Sequence, residues 1–362
     1  MAESLEDRLR ARIEADGPLP LEAFMGAAVD AYYAQGDVFG QRGDFTTAPE
    51  ICQVFGEIIG LWAVVAWQSM GCHAPLRLVE LGPGRGTLMK DALRAAAAVP
   101  AFAAAVEVHL VERSDALRAR QREALAGRMV RWHDDLAEVP AGPLLVIANE
   151  FFDALPITQL ERTPDGWHHR LVGLDDADAF VFVAGPRATE AEIAALGPAF
   201  ADCAPGAIAE RSPASEAVAA ALGRRLAADG GAALIIDYGY AESAPGDTLQ
   251  ALRRHAFHPP LESPGEVDLT AHVDFARLAE AARQAGATAF GPVGQGRFLS
   301  GLGAEIRAKS LIKKARPEQA VQISSGLHRL IHPAEMGTLF KVLALAGPDQ
   351  PPLPGFEGPS SP

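Results

Sequence analysis

Leu78-Val79-Glu80-Leu81-Gly82-Pro83-Gly84-Arg85-Gly86-Thr87 is the stretch on which the fold of this chain turns. The apolar run from Leu76 to Leu81 ends in three closely spaced glycines, and a helical pattern of Leu88, Met89 and Leu93 follows. The order is strand, tight turn, helix. Glycines are needed where a backbone turns at positive φ and lets a ligand lie against the main chain. The helix N-terminus beyond offers unpaired N–H groups to an acceptor. A nucleotide-type ligand is therefore expected at Gly82, Gly84 and Gly86. A dinucleotide site would carry G-x-G-x-x-G, whereas the third glycine falls at Gly86, in a G-x-G-x-G spacing. A glycine turn with no ligand is the structural alternative.

Outward from this turn, the chain reads as alternating strands and helices. Val106 to Glu112 alternates as a second strand ending in an acid, and Val130 to Leu136 reads as a third strand leading into Asp134-Asp135. In nucleotide folds a carboxylate at the tip of the second strand accepts ribose hydroxyls, which makes Glu112 the candidate. Either Asp134 or Asp135 could meet an adenine amino group, beside Leu136, and the residues alone do not choose. Leu144 to Ala148 is a continuous apolar run, the mark of a buried parallel strand. It leads into Asn149-Glu150-Phe151-Phe152-Asp153-Ala154-Leu155-Pro156, where two carboxylates flank two aromatic rings. Carboxylates grip a planar cation in a bidentate way and aromatics stack upon it. Ala233 to Asp237 resumes the sheet, the stretch from Val293 to Leu299 reads as a loop, and Met336 to Leu345 reads as the last strand.

The 362 residues can bury a sizeable core. With 49% hydrophobic and 22% charged residues, a globular protein is expected. The 32 basic and 46 acidic residues leave a formal net charge of −14, which argues against nucleic-acid binding and suits a basic protein substrate. Cys52, Cys72 and Cys203 are too dispersed for a disulfide framework, which points to a reducing compartment. Acids near the N-terminus argue against a signal or transit peptide, and the longest apolar runs are too short for membrane insertion. A cytoplasmic, bacterial protein is expected. No metal site is expected either, since His255, His258 and His272 lack ligand spacing and His168 and His169 point to opposite faces of a strand.

Residues 1–36 read as helices, with Tyr32 and Tyr33 as packing, followed by the polar stretch Gly43-Asp44-Phe45-Thr46-Thr47-Ala48-Pro49-Glu50 and an apolar helix from Ile51 to Met70. Pro164-Asp165-Gly166 forms a hairpin turn between strands. The resulting division is an N-terminal helical segment with a polar loop over 1–70, which the resemblance named next implies to cover a cofactor, a core over 71–156 and 229–346, an inserted hairpin with helices over 157–228, and a flexible tail over 347–362.

These motifs, taken in order, resemble the MidA-type methyltransferases. The likeness rests on Gly43 to Glu50, Glu80 to Gly86, Asn149 to Pro156, Ile236-Asp237-Tyr238-Gly239 and Asp268-Leu269-Thr270-Ala271-His272-Val273-Asp274. The loop at Asn149 is also similar to the [N/D]-P-P-[Y/F] loop of N-methyltransferases, with Glu150 where the first proline would stand.

The resemblance implies a class I methyltransferase, α/β, with a Rossmann-like seven-stranded, mostly parallel sheet, an N-terminal helical extension and an α+β insertion. It implies S-adenosyl-L-methionine as cofactor, with Glu80 near its methionine part and Thr46, Thr47 and Asn149 contributing. It further implies an arginine acceptor on a respiratory NADH dehydrogenase subunit, dimethylated symmetrically in support of complex I assembly. Asn149, Glu150 and Asp153 are then the catalytic candidates. Phe151, Phe152, Asp44, Asp237, Tyr238 and His272 are the substrate-binding candidates. A small-molecule or other N-methyltransferase, or a non-catalytic cofactor-binding assembly chaperone, is the alternative.

Overall fold

The structure, a computed structural model, describes residues 3–34, 47–253, 256–348 and 350–356. Seven strands form the main path of the central sheet: β1 (Leu76–Leu81), β2 (Val106–Val111), β3 (Val130–His133), β4 (Leu144–Asn149), β5 (Gly231–Tyr240), β6 (Thr288–Gly294) and β7 (Phe340–Ala346). Their spatial order is β6-β7-β5-β4-β1-β2-β3. From β5 to β3 every pairing is parallel, while β7 runs antiparallel to both β5 and β6. A two-residue strand, Val273–Asp274, pairs with the end of β5 and makes eight. The sheet is thus mixed: four of the six pairings along its seven-strand path are parallel, and the two made by β7 are antiparallel. The stretch from Val293, read as a loop, is the end of β6 and the start of the helix Gln295–Gly301.

All six residues of β4 are buried, as are nine of the ten in β5, which is why both read as unbroken apolar runs. The chain leaves β1 toward β2 and β3 on one side and then crosses to β4 on the other. That reversal opens a crevice at the carboxyl ends of β1 and β4. Register makes the placement concrete: Leu81 of β1 pairs with Ala148 of β4, which pairs with Ile235 of β5. The loops after these three strands therefore emerge side by side.

One face of the sheet is covered by the helices Gln53–Ser69 and Thr87–Ala96. They pack closely because Gly60 has no side chain: a Cβ there would lie 2.3 Å from the Ala92 carbonyl oxygen. The other face carries Pro213–Asp229 and Phe275–Gln284, whose Ala219, Leu222, Leu226, Phe275 and Leu278 join one core with β4 and β5. The insertion is therefore shorter than 157–228 suggests. Its last helix belongs to the core, since its apolar stripe has nowhere else to be buried.

What remains of the insertion is a five-stranded antiparallel sheet. Thr158–Thr163 and Gly166–Leu174 form the expected hairpin, with Thr163 opposite Gly166. Phe180–Arg187, Ile208–Arg211 and the N-terminal pair Leu19–Pro20 complete it. The helices Leu5–Asp16 and Leu21–Ala34 pack on this sheet through Leu9, Ile13, Phe24 and Met25 together with Val172 and Leu269. The N-terminal segment is thus split, with residues up to Ala34 serving the insertion and Gln53–Ser69 serving the core. A small sheet of Gln250–Arg253, Ala256–His258 and Asp268–Thr270 was not legible in the polar sequence there.

The tail is not wholly loose. Leu353 is buried, Phe356 packs on Phe298 at 5.5 Å between ring centroids, and the Trp62 indole donates to the Pro354 carbonyl at 3.2 Å. Among the described residues no helix is long and apolar enough to cross a membrane, and no group of three or more His, Cys, Asp or Glu could hold a metal. The three cysteines are free.

Candidate active site

The glycine turn caps β1 in the strained form its residues permit. Gly82, Gly84 and Gly86 have φ of 58°, 51° and 80°, a region that side chains rarely adopt. Gly86 is the N-cap of Thr87–Ala96, and its N–H closes a turn to the Pro83 carbonyl at 2.8 Å. A Cβ on Gly82 would lie 2.9 Å from the Phe151 ring, so the loops after β1 and β4 meet there with room only for hydrogen.

Glu80 is 2% exposed at the end of β1, and its Oε2 has no hydrogen-bond partner. Burial raises its carboxyl pKa to about 8. Asn149, at the end of β4, donates from Nδ2 to Glu150 Oε1 at 3.0 Å, while its Oδ1 is buried without a partner. Buried polar atoms are rarely left unpaired. Two such atoms, beside a turn that a Cβ would fill, fit a ligand with cationic and hydroxyl groups. Together with Thr47, Pro49, Gly84 and Glu150 they line a single cavity. The residues present therefore fit S-adenosyl-L-methionine.

Glu112 stands just past β2. It accepts from the Ser114 N–H at 2.9 Å and from Gln121 Nε2 at 3.2 Å, and burial raises its pKa. β3 ends at His133, short of the acidic turn. Asp134 is paired with Arg118 at 2.6 Å, and Asp135 caps the short turn Leu136–Glu138 by accepting from the Ala137 N–H at 2.9 Å. Both aspartates already have partners, and Leu136 is buried in the core.

Gln121 escaped the sequence reading. It is fully buried, donates to the Gly84 carbonyl at 2.8 Å and to Glu112, and accepts from the Trp132 indole at 2.9 Å. One amide thus ties the glycine turn to the acid after β2. The only sequence signal was its position one turn after buried Leu117 on an otherwise charged helix, where residues four apart share a face.

The loop after β4 is held from three sides. Glu150 adopts φ 48°, unusual for a side-chain-bearing residue. Its N–H donates to the Ile236 carbonyl at 2.8 Å, and its Oε1 accepts from the Ala48 N–H at 2.8 Å. Asp237 is fully buried and accepts from the N–H groups of Phe152, Asp153 and Tyr238 at 3.0, 3.2 and 3.0 Å. A carboxylate has about four acceptor positions, so Asp237 is committed to shaping the loop. Phe152 is likewise 2% exposed and packed in the core, with Phe151 edge-on to it at 5.3 Å. Only Phe151 remains partly exposed near the glycine turn.

Burial raises the Glu150 pKa to about 7, with Asp153 adding to it and Arg329 opposing it. Burial also raises Asp153 to about 6, and burial with the charges of Asp153 and Glu150 pushes Asp237 well up. Tyr238 and His272 lie edge to face at 5.5 Å, and burial lowers the His272 pKa. Thr47 lies at the cavity, with the helix Ala48–Ile51 beginning beyond it. Glu50 accepts from the Thr87 hydroxyl, fastening that segment to the glycine-turn helix. Asp44, Thr46 and His255 lie outside the described residues.

A family model for S-adenosyl-L-methionine-dependent methyltransferases matches residues 58–293. The protein arginine methyltransferase NDUFAF7 homolog, mitochondrial, of Drosophila melanogaster is 36% identical, over 98% of this chain and 88% of its own length. The protein arginine methyltransferase NDUFAF7, mitochondrial, of Homo sapiens is 34% identical, over 92% of this chain and 81% of its own. Among solved structures, a Burkholderia thailandensis protein bound to S-adenosyl-homocysteine superposes with a TM-score of 0.85 at 32% identity, covering 98% of this chain and 94% of that one. The chain belongs to this family of S-adenosyl-L-methionine-dependent methyltransferases.

Proposed function

We propose that the chain methylates an arginine side chain of a protein, that this protein is a subunit of respiratory NADH dehydrogenase, and that symmetric dimethylation supports its assembly. The observation that carries the arginine reading is the loop Asn149 to Asp153, which brings two buried carboxyls to the crevice and touches the glycine turn through Phe151. The relatives named as arginine methyltransferases support it.

In this reading Glu80, Glu112 and the glycine turn hold the cofactor, which supplies an electrophilic methyl group. Arginine stays protonated in proteins, so its nitrogens attack poorly until charge is drawn away from one of them. Glu150 and Asp153 accept from the guanidinium, concentrate its charge away from the attacking nitrogen, and align that nitrogen with the methyl. As the nitrogen–carbon bond forms and the carbon–sulfur bond breaks, the attacking nitrogen gives up one proton. Glu150, with its pKa raised to about 7, is placed to take it. Phe151 excludes water from the crevice.

The test is mass spectrometry of the NADH dehydrogenase subunits from cells with and without the gene. Loss of one dimethylarginine in the deletion identifies acceptor and chemistry together. Unchanged subunits with a methylated small molecule would reassign the acceptor.

A further inference from the structure

Beyond Asp153, away from the glycine turn, lies a second group of buried polar atoms that the mechanism above does not use. Tyr238 is 4% exposed and Thr270 is 1% exposed, yet neither hydroxyl makes a hydrogen bond of ordinary geometry, although Tyr238 lies near enough to Thr270 and Asp153 to feel both. Thr270 is brought there by the Ala271 N–H, which donates to the Asp153 carbonyl at 3.0 Å. Asp268, two residues earlier on the same strand, shares the face of Thr270 because strand side chains alternate. It is 5% exposed and accepts from the Tyr33 hydroxyl at 3.3 Å. Tyr33 feels the charges of both Asp268 and Asp153, and Tyr238 those of Asp153 and Asp237, so these side chains lie close together beside Asp153.

The unsatisfied atoms of the crevice thus fall into two sets. Glu80 and Asn149 line the cavity at the glycine turn, whereas Tyr238 stands on β5, across β4 from β1, and Thr270 lies beside Asp153. We propose that Tyr238, Thr270 and Asp268 form the wall that receives the acceptor's guanidinium beyond Asp153 and selects it over an ammonium. The proposal rests on the arginine reading above.

The chemistry favours the planar group. A guanidinium carries five N–H donors in a fixed plane and no acceptor, whereas an ammonium offers three donors around one point. Asp153 on one side, with Tyr238, Thr270 and Asp268 on the other, supplies acceptors spread along a wall. An ammonium held at Asp153 leaves the far hydroxyls unsatisfied, and an unsatisfied buried hydroxyl is costly.

The experiment uses the full chain saturated with S-adenosyl-homocysteine. N-acetyl-arginine methylamide is titrated against the corresponding lysine and citrulline compounds and followed by NMR. Wild type should bind the arginine compound at least ~10-fold more tightly than either of the others. Tyr238→Phe, Thr270→Val and Asp268→Asn should each weaken arginine binding by about 5-fold or more and narrow the arginine-to-lysine ratio. Affinity for S-adenosyl-homocysteine should stay within about 2-fold, since these residues do not line the cavity at the glycine turn. If Asp268→Asn does not fold, the shape-preserving pair Tyr238→Phe and Thr270→Val decides. Unaltered arginine affinity and selectivity in that pair would overturn this wall while leaving the arginine reading intact. Failure of wild type to prefer arginine would overturn both.

Discussion

The ring of Phe151 stands over Gly82 so closely that a single Cβ on the glycine would come within 2.9 Å of Cδ2. The glycine turn and the loop that carries the candidate catalytic acids are thus in contact. Their spacing follows from the pairing of Leu81 with Ala148, close to where each loop departs. Gly82→Ala should disturb both. With φ at 58° the alanine is strained as well as crowded. The cost of that strain is about 1–3 kcal/mol. Cofactor affinity should fall together with the melting temperature, as read by calorimetry and a thermal scan.

Glu150→Gln keeps the shape of the side chain and its acceptor for the Ala48 N–H while removing the charge. Turnover should drop by about 10²–10³-fold, the scale expected when a charge-stabilising group is lost. S-adenosyl-homocysteine affinity should change by less than about 3-fold, because in the proposed mechanism the charge acts on the acceptor. Single-turnover kinetics separates the two, and unchanged turnover would remove Glu150 from the mechanism.

If Glu80 holds the methionine end of the cofactor, as proposed, binding should depend on pH in a definite direction. With its pKa raised to about 8 from 4.5, the carboxyl keeps its proton in the free folded protein at neutral pH. The cationic methionine end of the cofactor favours the carboxylate, so binding should release a proton and strengthen as pH rises toward about 8. The unfolded chain releases this proton above about 4.5, so this group's contribution to ligand-free stability falls as pH rises between those values. Calorimetry in buffers of different ionisation enthalpy measures the proton, and Glu80→Gln should abolish its release.

Gln121 is expected to matter far more than a helix-surface glutamine. Gln121→Leu would leave the Trp132 indole and the Gly84 carbonyl without their partner. An unpaired buried group costs about 1–3 kcal/mol. Equilibrium denaturation should show that loss, with weaker cofactor binding as the glycine turn loosens. Replacement without effect on either would mean that solvent serves the turn equally well.

The docked part of the tail gives a stability test far from the crevice. Leu353 is buried. Leu353→Ala should destabilise by about 2 kcal/mol through the cavity it leaves. Turnover per folded molecule should stay the same, since Leu353 packs with the helix face around Trp62 and Phe298 and lines no part of the crevice. A thermal scan paired with activity at low temperature checks both halves.

How much of this was legible in the residues depended on how local each cause was. The glycine turn, β1, the apolar run of β4, the hairpin at Pro164-Asp165-Gly166 and the acid-bearing loop at Asn149 each follow from residues adjacent in the chain, and the amino-acid sequence alone was enough to expect them. Two kinds of feature were beyond it. The first was the ownership of elements: Pro213–Asp229 serves the core, Leu19–Pro20 extends the insertion, and Leu353 and Phe356 are packed. An apolar side chain is buried by whichever surface the finished fold brings to it. The second was the standing of polar residues. Asp237 is committed to three backbone donors, Gln121 joins the turn to Glu112, and Tyr33 meets Asp268 from the far end of the chain. A polar side chain is indistinguishable in sequence whether it faces water or a buried partner. Only the tertiary structure decides which, because the desolvation that makes the partner necessary exists only once the core has closed around it.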